Sequence, residues 1–204
     1  MQPIYRWLIP ALWLAWIAYW FIAARGAKST ARREPWTSRL SHIVPLALGI
    51  WFQSVPTPGW PSLDRHIVTW TPTLLWFGTA LVAAGLGWTV YARRHLGANW
   101  SGMVEQKRGH ELIRTGPYGW TRHPIYTGLL LAFAGAAVTL DRWRGLLGLL
   151  IIAAAFIRKL RIEEQFMQEL FPLEYPHYRR EVGALLPWSG SAQRQRKKRG
   201  SSSG

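Results

Sequence analysis

The chain contains no cysteine, which removes disulfides, thiolate metal sites and cysteine nucleophiles from consideration. Its six histidines are scattered without metal-ligand spacing, and His42 and His66 read as interfacial or loop residues. No metal is expected. Acid is scarce, with ten Asp and Glu against 25 Lys and Arg, a net charge of +15. A surplus of that size raises the prospect of nucleic acid. The basic residues, however, fall between apolar blocks and do not form one stripe interleaved with aromatics. Nucleic acid is therefore set aside as a partner, and no protein partner is evident. Nothing marks a boundary between two independent domains, and 204 residues suit one compact unit.

What the chain does have is apolar sequence in blocks of helical length, with fourteen tryptophans distributed through it. Indole rings favour the bilayer interface, where an apolar body and a polar N–H are both satisfied. About 20 residues cross a hydrocarbon core, and residues 4–24, 71–91, 124–140 and 143–160 meet or approach that length. Residues 4–24 lack the short core and small-residue cleavage site of a secretory signal, so they read as a permanent span. Residues 42–55 are shorter and contain Pro45, which predicts a short, kinked or re-entrant element. The expected fold is an all-α integral membrane protein of five transmembrane helices with a cytoplasmic C-terminal cap. Residues 124–140 and 143–160, separated by Asp141–Arg142, should form an antiparallel hairpin. The periodicity continues past Leu160 into a polar extension, and 175–182 predicts a further short helix. The organisation expected is helices 1–3 over 1–90, a binding loop with helices 4 and 5 and the C-terminal helices over 91–188, and a disordered basic tail over 189–204.

Basic loops are retained in the cytoplasm. With five spans, Lys and Arg number 5 in the loop 25–39, 6 in 92–123 and 10 from Arg158 onward, against 4 on the other side. The count puts 92–123 and the C-terminus in the cytoplasm and the N-terminus outside, as in a bacterial inner membrane protein bounded by membrane lipids.

Three segments could carry chemistry. The first, TRHPIYTG at 121–128, marks a helix start at Pro124, whose missing N–H is no loss in the first turn. The free backbone N–H groups and positive dipole end there favour an anion, with Arg122 and His123 adding donors. The bland alternative is an arginine that reaches to headgroups and a histidine that caps a helix. Glu163 and Glu164 follow the last apolar helix; adjacent positions diverge by about 100°, so one can face a site and the other a basic partner. A surface ion-pair network with Arg158, Lys159 and Arg161 competes with that reading. The polar loop 95–120, with glycines at 97, 102, 109, 116 and 119, must cap the helix ends or line a cavity. Gly85 and Gly87 make a GxG inside a membrane helix, where small residues more often serve close packing.

Four blocks in series resemble the isoprenylcysteine carboxyl methyltransferase and phospholipid methyltransferase family of membrane enzymes. They are LGANWS at 96–101, GHELIRTGPYGWTRHPIYTG at 109–128, RIEEQF at 161–166, and LFPLEYPHYRREV with LLPW at 170–188. The resemblance implies methyl transfer from S-adenosyl-L-methionine to a lipophilic or small amphiphilic acceptor: an isoprenylcysteine-like carboxylate, a phospholipid amine or a thiol. It places His110, Leu112, Ile113, Gly116, Tyr118, His123, Pro124, Tyr126, Glu163 and Glu164 around the cofactor. It gives catalytic roles to Arg122, nearer the acceptor, and to Glu163. Gly85 and Gly87 correspond to a GxG of the phospholipid branch. The sequence EVGALLPW departs from the Arg-Val-Pro-like ending of the prenylcysteine branch. The alternatives are a sterol-reductase-like enzyme holding NADPH in the same pocket, and a non-catalytic scaffold whose basic loops bind anionic lipid.

Overall fold

The computed structural model describes residues 3–25, 30–33, 35–69, 71–97, 105–107 and 112–187. His110 and the tail 189–204 lie outside the described residues. The apolar runs become α1 (Pro3–Ala24), α2 (Trp36–Ser54), α3 (Pro72–Leu96), α4 (Pro124–Leu140) and α5 (Trp143–Leu170), followed by the short α6 (Glu174–Glu181). The ends follow local chemistry. At the start of α3, the Thr71 hydroxyl accepts the Leu74 N–H at 3.3 Å. Pro72 occupies the first helical position, and Arg93, Arg94 and His95 fill the last turn. α4 ends on Asp141, whose φ of 48° turns the chain into α5. As its periodicity predicts, α5 continues unbroken to Leu170, well past the apolar stretch.

Helix α2 corrects the expectation of a short second element. It spans 19 residues and carries Pro45 inside it, because Trp36 to Ser41 extend the helix with polar residues that apolarity alone does not detect. The loops after α1 and α3 also pair, as β1 (Thr30–Arg33) antiparallel to β2 (Glu105–Lys107), with Thr30 opposite Lys107. That ribbon was not foreseen. The architecture is therefore helical with one small two-stranded ribbon. Among the described residues, only α1, through Trp7–Ala24, and α3 combine the length and apolarity of a membrane crossing; α4 has 17 residues.

Glycines decide which helices touch. A Cβ on Gly85 would stand 2.5 Å from the Gly128 carbonyl oxygen, and one on Gly128 2.6 Å from that of Gly85. Gly78 and Gly135 repeat this reciprocal contact two turns away, so α3 and α4 run antiparallel with backbones in contact. Gly49 and Gly148 do the same for α2 and α5. The tight seams are thus α3 with α4 and α2 with α5, while the expected α4–α5 hairpin is joined at Asp141 but packs less closely. Gly85 is the packing half of the GxG; a Cβ on Gly87 would meet nothing within 4 Å.

Helix α1 stands apart. It leans on α3, where the Trp16 indole N–H donates to the Thr89 hydroxyl at 2.6 Å and the Arg93 guanidinium to the Ala23 carbonyl at 2.6 Å. Trp13 packs on Phe133 of α4 at 4.7 Å between ring centres. Large apolar side chains cover much of the exterior: Trp7 is 72% exposed, Phe21 73% and Leu150 59%.

At the bundle end away from α6, buried Arg144 ties α5 to the end of α2 and the loop that follows it. It donates to Asp64 at 2.6 Å, to the Phe52 carbonyl at 2.8 Å and to the Val55 carbonyl at 3.0 Å. Asp141 accepts from the Val68 N–H at 3.1 Å and contacts His66 at 2.9 Å.

Candidate functional site

At the opposite end, the start of α4 meets the polar extension of α5 and the segment after α6. Arg122 N–H donates to the Gly183 carbonyl at 2.8 Å, and His123 N–H to the Ala184 carbonyl at 3.0 Å. The Thr127 hydroxyl donates to the Leu185 carbonyl at 2.7 Å. This short pairing fixes the backbone on which the side chains of Arg122, His123 and Tyr126 are mounted.

The two glutamates diverge as their spacing on a helix requires. Glu164 turns to Arg122, whose Nε and Nη2 lie 2.8 and 2.6 Å from one of its oxygens. The remaining Arg122 nitrogen donates to the carbonyls of Arg179, at 3.1 Å, and Val182. Arg179 reaches the other Glu164 oxygen at 3.7 Å. Glu163 instead accepts the Tyr126 hydroxyl at 2.5 Å and lies 4.0 Å from the Lys159 ammonium. His123 sits between the pair, 3.6 Å from Glu163 and 3.3 Å from Glu164. Its ring stacks on Tyr126, which stacks in turn on Phe156.

Burial opposes charge on all three groups, but contact outweighs it. Glu163 is held below the ordinary carboxyl value by His123, Lys159 and Tyr126. Hydrogen bonds from His123 and Arg122 pull Glu164 down to about 2. The two carboxylates push His123 above the ordinary imidazole value. The cluster therefore carries two ionised carboxylates, Glu164 buried and Glu163 half-buried at the border of open space.

That space is a cavity of about 1080 Å³. One end is walled by Leu112, Ile113, Tyr118, His123, Tyr126 and Glu163. It continues along α4 from Pro124 to Leu140, roughly 24 Å at 1.5 Å per residue. Trp13, Trp16 and Ile17 of α1 and Leu46 and Ile50 of α2 wall the apolar part.

Of the residues expected at a site, Leu112, Ile113, Tyr118, Arg122, His123, Pro124, Tyr126 and Glu163 line this cavity; Gly116 and Glu164 stand behind its wall. Arg122 borders the cavity, but its guanidinium is committed to Glu164 and two carbonyls. Gly116 has φ +57° and lies so close to His95 that a Cβ would be 2.6 Å from the ring. This turn sets Tyr118, whose carbonyl accepts the Tyr178 hydroxyl at 2.5 Å. Sequence reading assigns no site role to Tyr175, Tyr178 or the 183–185 segment, and places Lys159 only in a surface ion-pair network. The i, i+4 spacing of Lys159 and Glu163 was an available signal, whereas the pairing of 121–123 with 183–184 runs through backbone and leaves no side-chain pattern.

The model of the family described as Phospholipid methyltransferase matches residues 73–174, half of the chain. A protein-S-isoprenylcysteine O-methyltransferase of Saccharomyces cerevisiae is 31% identical over 54% of this chain and 48% of its own length. One from Xenopus laevis is 27% identical over 70% of this chain and 49% of its own. The chain spans about half the length of these curated relatives. A solved structure of the eukaryotic intramembrane Ras methyltransferase, isoprenylcysteine carboxyl methyltransferase, aligns with TM-score 0.48 and 22% identity. The alignment covers 75% of this chain and 52% of that one.

Proposed function

The chain belongs to the phospholipid methyltransferase family, and from that premise we propose that it is a membrane-embedded methyltransferase using S-adenosyl-L-methionine and a lipophilic or amphiphilic acceptor. One observation carries the reading: one cavity is polar and carboxylate-bearing at one end and mainly apolar along α4, with Gln53, Ser54 and Thr139 at its far end. A charged nucleoside donor and a lipid tail need those two environments in contact.

The polar end suits the donor. Ionised Glu163 offers an acceptor for an ammonium or a ribose hydroxyl. Leu112, Ile113 and Tyr118 offer apolar and aromatic surface for a purine. The first turn of α4 presents its positive dipole end to an anion. When bound, the cofactor supplies a methyl whose bond to sulfonium sulfur breaks as its bond to the acceptor nucleophile forms, leaving a neutral thioether. The protein contributes orientation and exclusion of water. Glu163, held ionised by His123, Lys159 and Tyr126, fixes the donor end. Arg122 acts as a positioning residue: through Glu164 and the carbonyls of Arg179 and Val182 it braces α6 and the segment after it against the start of α4. The aromatic and aliphatic walls of α1 and α2 receive the acceptor's tail.

Exposed Trp7, Phe21 and Leu150 support a bundle immersed in lipid. In this reading the five long helices cross a bacterial inner membrane with the N-terminus outside. The 92–123 loop and everything beyond α5's apolar part form the cytoplasmic cap. Calorimetry of the detergent-solubilised protein with S-adenosylhomocysteine should show binding, and labelled methyl should pass to a component of extracted lipid. No binding and no transfer would end the proposal; tighter binding of NADPH would replace it with a reductase.

A further inference from the structure

Tyr175 of α6 is 2% exposed. Its hydroxyl oxygen is buried and has no hydrogen-bond partner among the described residues. A phenol in that state carries an uncompensated desolvation cost, because water has been removed and no protein group replaces it. Its neighbours are served differently: Tyr178 donates to the Tyr118 carbonyl. Arg122 lies near enough to act on the Tyr175 oxygen as a charge and as a donor, but a guanidinium only donates, so the phenol's own proton is left without an acceptor. Tyr175 also lines the cavity, at the end that holds Glu163. Burial and the Glu164 charge keep the phenol protonated well above its ordinary range, so at neutral pH it has a proton to donate.

We propose that the Tyr175 hydroxyl is a ligand-binding group that donates to the carboxylate of an amino-acid-bearing nucleoside, while Glu163 takes the ammonium. This rests on the methyltransferase reading. The guanidinium of Arg122 and the dipole end of α4 make this side of the polar end the favourable one for an anion, and Glu163 makes its own side favourable for a cation. The unfilled valence in the folded protein is thus a place kept for a ligand oxygen.

The test is Tyr175→Phe, which removes one oxygen and keeps the ring. Calorimetry would use S-adenosylhomocysteine and 5′-methylthioadenosine, which shares the nucleoside and thioether but has no amino-acid end. Thermal unfolding would be followed without ligand. The variant should bind S-adenosylhomocysteine roughly tenfold or more weakly, bind methylthioadenosine as the wild type does, and unfold at an equal or higher temperature. Equal weakening for both ligands, unchanged affinity for both, or a lower unfolding temperature would overturn the assignment. If wild-type protein binds neither nucleoside, the methyltransferase reading falls and takes this inference with it; wild-type binding with an indifferent variant removes the inference alone.

Discussion

The two ends of the helical bundle both bury charge, yet they use it differently. At the α4–α5 turn, Arg144 pairs with Asp64 and with the Phe52 and Val55 carbonyls, and Asp141 with His66 and the Val68 N–H. At the α6 end, Arg122 and Glu164 form a similarly closed pair, but Glu163 and Tyr175 beside them face a cavity. Buried ion pairs with displaced titrations therefore do not distinguish a site from a clasp. What distinguishes them is whether a charged or polar group borders space that a ligand can fill.

The sharpest way to break that comparison is to remove one residue from each end. Glu163→Gln should lower kcat/KM by roughly 10- to 100-fold while leaving the unfolding temperature nearly unchanged. Arg144→Ala should do the reverse, costing roughly 2–3 kcal/mol through the stranded Phe52 and Val55 carbonyls, with donor affinity per folded molecule intact. Calorimetry and thermal unfolding on both variants would show whether the roles separate; an Arg144 variant that folds normally but loses donor binding would erase the distinction.

The glycine seam gives a second, smaller contrast. Gly85→Ala drives a Cβ into the Gly128 and Ala132 backbone and should cost about 1–3 kcal/mol. Gly87→Ala meets nothing and should stabilise α3 by up to about 1 kcal/mol. Chemical denaturation in detergent would measure both, and similar losses at the two positions would mean that the GxG acts as a unit.

The smallest effect is pH dependence, and His123 at the α6 end differs in sign from the carboxylates at both ends. His123 is raised above 6.5, so its contribution is complete below that pH and is lost as pH rises through the raised value. Glu164, lowered from 4.5 to about 2, contributes above 4.5 and fades as pH falls towards 2. Asp64 and Asp141 are lowered from 3.8 and lose their contributions only as pH falls below that value. Unfolding followed from about pH 6 to 9 should therefore report the α6 end alone, and His123→Gln should flatten the profile.

Much of this was legible beforehand. Pro124 announced its helix start, and the adjacency of Glu163 and Glu164 required one to turn away, although sequence could not say which. The first turns of α2 escape an apolarity criterion because Thr37, Ser38, Arg39 and Ser41 dilute the apolar signal. The short Asp141 turn joins α4 and α5 as its length implies, but the closest helix approaches lie elsewhere, because the glycines at 49, 78, 85, 128, 135 and 148 determine which backbones can touch. The β1–β2 ribbon and the 121–123 pairing with 183–184 were invisible because backbone hydrogen bonds between distant segments impose no residue pattern.

The bonds from Arg122, His123 and Thr127 to Gly183, Ala184 and Leu185 also carry a consequence for biosynthesis. α4 can enter the membrane long before its first turn receives those partners, since roughly 60 further residues must leave the ribosome, several seconds of translation. A chain stopped shortly after α5 would insert a bundle with its glycine seams in place and its pocket unsealed. The polar end of the cavity would then take its final form only when the 183–185 segment docks.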